Sequence, residues 1–164
     1  MTNSATGKPN RPYIIGVSML TFILPAVSYA IELLLARPQT SASLTGFGKW
    51  FIFYAVGFRL LVAGIRQALK PAFTARVIFH MESAESYPVI RELGFANLCF
   101  GLIGLISLFL PAWRPISAFG SGLYYGLAGL LHALNKDAGI NEKFALYTDV
   151  VIFIFLAILF YLYY

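Results

Sequence analysis

Long apolar runs separated by short polar breaks make up most of this chain, and the runs have the length of membrane-spanning helices. Residues 1–12 are polar, carry Lys8 and Arg11, and read as a short flexible tail. The first run, 13–36, is long enough to cross a hydrocarbon core of about 30 Å at about 1.5 Å per residue. Pro25 in its middle predicts a kink. This run is too long for the apolar part of a signal peptide, and Arg37-Pro38-Gln39 is no small-residue cleavage site, so it reads as a retained helix. A polar loop from Arg37 to Gly48 leads to the second run, 50–69, apolar except for Arg59 and Arg66. The longest polar stretch, 70–91, follows. Within it residues 71–80 mix apolar and basic side chains, the pattern of an amphipathic helix in the headgroup plane. The third run, 92–111, and the fourth, 116–134, are separated only by Ala112-Trp113-Arg114-Pro115 and predict a tight helical hairpin. The fifth, 144–164, ends in Phe160-Tyr161-Leu162-Tyr163-Tyr164, an aromatic run suited to a membrane–water interface. The pattern predicts an all-α membrane protein: one bundle over 13–164 with five spans and an interfacial segment between spans two and three.

Composition excludes the alternatives. Of 164 residues, 59% are apolar and 12% charged, the latter about half the share of ordinary soluble domains. A soluble monomer of this size cannot bury so much apolar surface, and a disordered chain would not carry it. The expected surroundings are a lipid bilayer. The single cysteine, Cys99, excludes an intrachain disulfide and reads as a small packing residue. There is no Cys-x-x-Cys and no His-rich tract, so haem attachment and iron–sulfur ligation by protein thiolates are unsupported and the sequence names no cofactor.

Lys plus Arg is 12 against 7 Asp plus Glu, a formal charge of +5. These basic residues flank the apolar runs rather than forming a patch, which points to topology and lipid headgroups and not to nucleic acid. With the N-terminus inside and Arg59 set aside as intramembrane, the inside holds Lys8, Arg11, Arg66, Lys70, Arg76, Arg91, Lys136 and Lys143. The outside holds Arg37, Lys49 and Arg114. The imbalance predicts a cytoplasmic N-terminus; a re-entrant second segment would invert the far half. Gly94, Gly101 and Gly104, then Gly120, Gly122, Gly126 and Gly129, mark helix faces that allow close approach, within the chain or to a second copy.

An ionisable group inside a span costs roughly 2.5–3.5 kcal/mol, so each needs a partner or a function. Glu32, Arg59, Glu92, His132 and Asp149 stand out, with Asn97 as an uncharged sixth. Hairpin connectivity places Glu92, Asn97, His132 and Asp149 in the same third of the bundle, on three consecutive helices. Arg59, near the middle of its span, reaches either Asp149 or Glu32 and predicts an ion pair. A histidine between two carboxylates relays protons, holds a polar or cationic head, ligates a metal, or fixes helix register. No local ligand spacing supports the metal. His80, Glu82 and Glu85 read as solvated, and the mixed-charge turn 135–143 as a candidate lid beside His132 and Asp149.

Pro88, Glu92, Gly94, Ala96-Asn97-Leu98, then His132 closing a glycine-rich helix, Asn141 and Thr148-Asp149 form a further pattern. In these positions, over about Trp50 to Tyr164, the chain resembles the DoxX-like family of small bacterial multi-pass membrane proteins, a domain of unknown function. The resemblance implies a four-helix bundle, here with an extra N-terminal transmembrane helix, in a bacterial inner membrane. Its better-known relatives look like membrane subunits associated with quinone-linked oxidoreductases. The chain departs from the pattern at Val89-Ile90, where that family often has Phe-Gln, and at Gly64-Ile65-Arg66, where it often has Gly-His.

Three functions fit. The first is a subunit or accessory of a larger membrane complex, or a homo-oligomer. The second is a binder of a lipophilic small molecule such as a quinone or isoprenoid, its head held by the polar cluster and its tail lined by Tyr124, Tyr125 and Phe95. The third is an enzyme acting on such a molecule, with Glu92 or Asp149 as base and His132 as acid.

Overall fold

A computed structural model describes residues 9–36, 42–79 and 81–164. Among them every regular element is helical. Helix α1 runs Arg11–Leu35 and α2 Leu44–Leu69. A short α3, Pro71–Phe73, continues as a wide turn, Thr74–Ile78. Then come α4 (Tyr87–Phe109), α5 (Trp113–Leu134) and α6 (Ile140–Tyr163). Most of the predicted tail, the start of the 37–48 loop, and His80 lie outside the described residues.

The apolar runs mark the helices, but their ends follow capping chemistry. Helix α2 begins at Leu44, ahead of the expected Trp50, because the Ser43 hydroxyl accepts the Gly46 N–H at 3.0 Å. Helix α4 begins at Tyr87, ahead of Glu92, with Pro88 in its first turn, where no N–H partner is needed. Helix α6 begins at Ile140, which takes Asn141 and Glu142 out of the expected loop and into the first helical turn. The Asn10 side chain caps α1 by accepting the Tyr13 N–H, while its own backbone N–H donates to Asn141 Oδ1 at 2.8 Å.

Among the described residues four helices, α1, α2, α4 (with its leading turn) and α6, are long and apolar enough to cross a membrane. Helix α5 has 22 residues but is diluted by glycines and serines. Large apolar side chains cover much of the outside: Leu34 is 84% exposed, Phe109 74% and Leu127 68%. Such a surface suits a lipid bilayer.

The helices assemble as two antiparallel pairs, with α1 packed chiefly along α2. In the first pair, Gly57 meets Gly104, Leu61 meets Gly101, and Gly64 meets Gly94 and Leu98, so α2 and α4 run backbone against backbone. In the second, Gly122 meets Leu156, Gly126 meets Phe153 and Gly129 meets Val150, aligning α5 with α6. Between the pairs lies a dry core of Ile52, Val56, Ile152, Leu156 and Leu159, each fully buried. Glu32 does not reach Arg59. It bonds Lys49 Nζ and Trp50 Nε1, pinning the far end of α1 to the start of α2.

Among the described residues two further wide turns break the α-helical ladder within α1 and α2. In α1 the turn Met19–Ile23 sits just before Pro25, which lacks an N–H to continue the ladder. In α2 the turn Ile52–Phe58 ends at Arg59, whose N–H reaches back to the Tyr54 carbonyl five residues earlier. The Ala55 carbonyl, the usual acceptor for that N–H, accepts the Tyr125 hydroxyl at 2.8 Å. This shift sets the phase at which Arg59 enters the core.

Candidate functional site

Where the two pairs diverge, they leave a cavity of about 610 Å³. Tyr13 and Gly16 of α1 wall one side. Phe73, Thr74, Ile78 and Phe79 close one end. The segment expected to lie in the headgroup plane thus turns one face into the protein, with Thr74, Ala75 and Ile78 buried. Most of the lining is apolar; its polar side chains include Arg59, Asp149 and His132 and, apart from them, the pair Asn97 and Gln67.

Arg59 Nη2 donates to Asp149 Oδ1 at 2.7 Å and to Thr148 Oγ1 at 3.0 Å. Its guanidinium lies 5.1 Å from the centre of the Tyr125 ring, in range for a cation–π contact. Both partners of the ion pair are buried, with side chains 10% and 8% exposed. Two charges so deeply buried require each other, because removing either leaves an uncompensated ion. The expected Arg59–carboxylate pair therefore forms with Asp149.

His132 lies beside this pair, its Nε2 4.0 Å from Asp149 Oδ2. Its Nδ1 is 3.0 Å from Glu142 Oε1, and Phe79 stacks on its ring at 5.9 Å. Glu142 is buried and also accepts from Asn135 Nδ2 at 3.0 and 2.9 Å. A line of Arg59, Asp149, His132 and Glu142 thus runs from the cavity to the exposed turn at Asn135. Because Asp149 and Glu142 stand at opposite ring nitrogens, the three do not converge on one point. Among the described residues no set of three His, Cys, Asp or Glu side chains is placed to hold a metal.

Asn97 also lines the cavity, but its Nδ2 donates to Gln67 Oε1 at 2.6 Å rather than joining His132. Among the described residues its Oδ1 and the Arg59 Nη1 are buried without a partner. Buried polar atoms left open in this way are costly, and here they give one acceptor and one donor beside the cavity.

Glu92 stays outside the cluster. It is exposed and makes no hydrogen bond or ion pair among the described residues. Five residues separate it from Asn97, which places it roughly 140° round the helix at about 100° per residue. Shared depth therefore did not mean a shared face. The carboxylate that does engage His132 is Glu142. Its signal was the Gly139 that precedes α6 and an acidic residue in the first turn, where the helix dipole favours it. Gln67, the partner of Asn97, was also missed. Tyr124 and Tyr125 line the cavity as expected, whereas Phe95 is 56% exposed on the outer face of α4. Cys99 is likewise exposed.

No curated protein and no solved structure matches the chain. The model of one family, described as Family of unknown function (DUF6790), matches residues 15–164. That match takes in α2 to α6 and nearly all of α1, and the chain belongs to this family.

Proposed function

We propose that this protein is an integral membrane protein of five spans that holds a lipophilic small molecule, a quinone or isoprenoid-like amphiphile, in the cavity between its helix pairs. The observation that carries the reading is the cavity itself: about 610 Å³, apolar over most of its wall, with Arg59, Asp149, His132 and Asn97 in its lining. That volume is within the usual range for small-molecule sites, and a few convergent polar groups in an apolar wall are how such sites orient a head group. A carbonyl or hydroxyl head would accept from Arg59 or His132, while the chain lies against the apolar wall, Leu60 and Leu127 included.

The fifth span is α5. It runs beside α6 from Phe119 against Phe160 to His132 against Asp149, so it crosses whatever α6 crosses. An odd number of spans puts the termini on opposite sides. Arg11, Arg66, Lys70, Arg76, Arg91, Lys136 and Lys143 lie toward the cavity end, and Lys49 and Arg114 toward the other, which supports a cytoplasmic N-terminus. A bacterial inner membrane and a DoxX-like architecture belong to the same proposal. They rest on the motif around Pro88 and Asn97.

Native mass spectrometry of the full chain in mild detergent tests the reading. The wild type is expected to carry one amphiphile, and Ala128→Phe, which fills the cavity from α5, to lose it. A wild type that is bare, or an adduct untouched by Ala128→Phe, overturns it. A bare protein that runs as a larger assembly would instead favour a subunit of a membrane complex or a homo-oligomer.

A further inference from the structure

A second hollow, a groove of about 500 Å³, lies toward the opposite end of the bundle. Phe100, Ile103, Ile116, Phe119 and Gly120 help to line it. It and the cavity share one seam. On α4 the lining positions step from Asn97 in the cavity to Phe100 and Ile103 in the groove, three residues apart each time. On α5 they step from Leu127 and Tyr124 in the cavity to Gly120 in the groove, three and four residues apart. Both sets are single helical stripes. The helices run antiparallel, so the stripes travel together. At the boundary Phe100 stacks on Tyr124 with ring centres 5.0 Å apart and planes at 30°. A side chain at Gly120 would begin 3.4 Å from Phe100, so the glycine keeps the groove open beside that stack.

We propose that the cavity and the groove are two halves of one binding channel, and that its occupant is a long-tailed lipid: head at Arg59, tail running between α4 and α5 past Phe100 and Tyr124 into the groove. This rests on the reading of the cavity as a head-group site and adds the ligand's shape. Between Leu127 and Ile116 the seam extends about 16 Å at about 1.5 Å per residue, too far for a head group alone. The groove's lining is mostly apolar and, among the described residues, holds no charged side chain, which suits a hydrocarbon tail. Two aromatic rings at the waist let a flexible chain pass by turning about their side-chain bonds, whereas a rigid ring system would be stopped there.

A pair of probes with one head separates the two halves. Menadione is the bare methylnaphthoquinone head, and phylloquinone carries the same head on a phytyl tail. Binding of each to the full chain is measured in lipid nanodiscs, for the wild type, Gly120→Phe and Ile116→Trp. Ile116 is 57% exposed, so its variant narrows the groove from the rim without entering the helix packing. The wild type is expected to hold phylloquinone at least ten-fold more tightly than menadione. Both variants are expected to remove that advantage while menadione binding stays within two-fold. Equal affinity for the two probes in the wild type, or a phylloquinone preference that survives both variants, overturns the channel and leaves the head site standing. If neither probe binds the wild type, the head-group reading falls and the channel falls with it.

Discussion

The two helix pairs solve the same problem, close association without a hydrophobic drive between helices in lipid, in different ways. Between α2 and α4 glycines face each other from both sides. A Cβ at Gly101 would sit 2.6 Å from the Leu61 nitrogen, one at Gly104 2.7 Å from the Gly57 nitrogen, and one at Gly64 2.7 Å from the Gly94 carbonyl oxygen. The backbones themselves are the contact surface. Between α5 and α6 the glycines are on α5 alone and receive side chains. Gly126 holds the Phe153 ring, Gly129 a Val150 methyl and Gly122 the Cβ of Leu156. Each pair is satisfied internally, so little obliges the pairs to close on one another along their full length. The fully buried aliphatic core joins them through the half of the bundle away from the cavity, and the Tyr125–Ala55 bond and the Arg59–Asp149 ion pair join them at its inner edge. Beyond that level they part, and the cavity occupies the gap.

If the ion pair is what joins the pairs at the cavity, breaking it has the largest effect. Asp149→Leu leaves the Arg59 guanidinium buried without its counter-charge and is expected to cost about 3–5 kcal/mol. Arg59→Leu is expected to cost a similar amount by stranding Asp149. The double variant removes both charges and should be more stable than either single one, read as melting temperature in detergent by loss of the monodisperse peak. Additive losses in the double variant would show that the two residues act apart and that other contacts join the pairs.

The backbone seam comes next. Gly101→Ala cannot be absorbed by a rotating side chain, because the opposing atoms are the Leu61 nitrogen and Cα and the Gly57 carbonyl oxygen. The helices must separate, at a cost expected near the upper end of about 1–3 kcal/mol for overpacking. A melting temperature equal to the wild type would mean that α2 and α4 are less closely seated than their glycines indicate.

This contrast shows what the sequence could and could not convey. The apolar runs marked the four helices long and apolar enough to cross a membrane, since such a helix must cover about 30 Å of hydrocarbon whatever it packs against. The glycines on α4 and α5 were visible too, but not that Gly57 and Gly64 of α2 face the first set while Phe153 and Val150 face the second. That depends on register, which no local pattern carries. The same limit governs the site. Hairpin connectivity brought His132 and Asp149 to one depth, and the cost of a lone intramembrane charge sent Arg59 to a carboxylate. Depth does not specify a helix face, so Glu92 was grouped with residues it turns away from. Glu142 was left in a loop because α6 begins a turn before its apolar run does.

Gly126→Ala tests the second pair where it is tightest. Its Cβ would come 2.9 Å from Phe153 Cδ2, an edge of a side chain rather than backbone. Phe153 is 38% exposed, so the ring can swing outward into lipid. The expected loss is about 1 kcal/mol, well below that of Gly101→Ala. A loss as large would mean that α5 and α6 are locked as rigidly as α2 and α4.

The smallest effect is the most discriminating. A Cβ at Gly122 would meet the Leu156 Cβ at 3.5 Å, an ordinary van der Waals distance, although Gly122 is buried and belongs to the Gly122-x-x-x-Gly126 pair that marks it as an association motif. In water Gly→Ala inside a helix gains up to about 1 kcal/mol from propensity. In lipid that gain shrinks, because the separated helices stay helical to satisfy their own backbones. Little is gained and little is lost, so Gly122→Ala is expected to melt within about 2 °C of the wild type, corresponding to about 0.5 kcal/mol or less. A steep destabilisation at Gly122 would place backbone, not the Leu156 side chain, against it, and the two pairs would then be built alike.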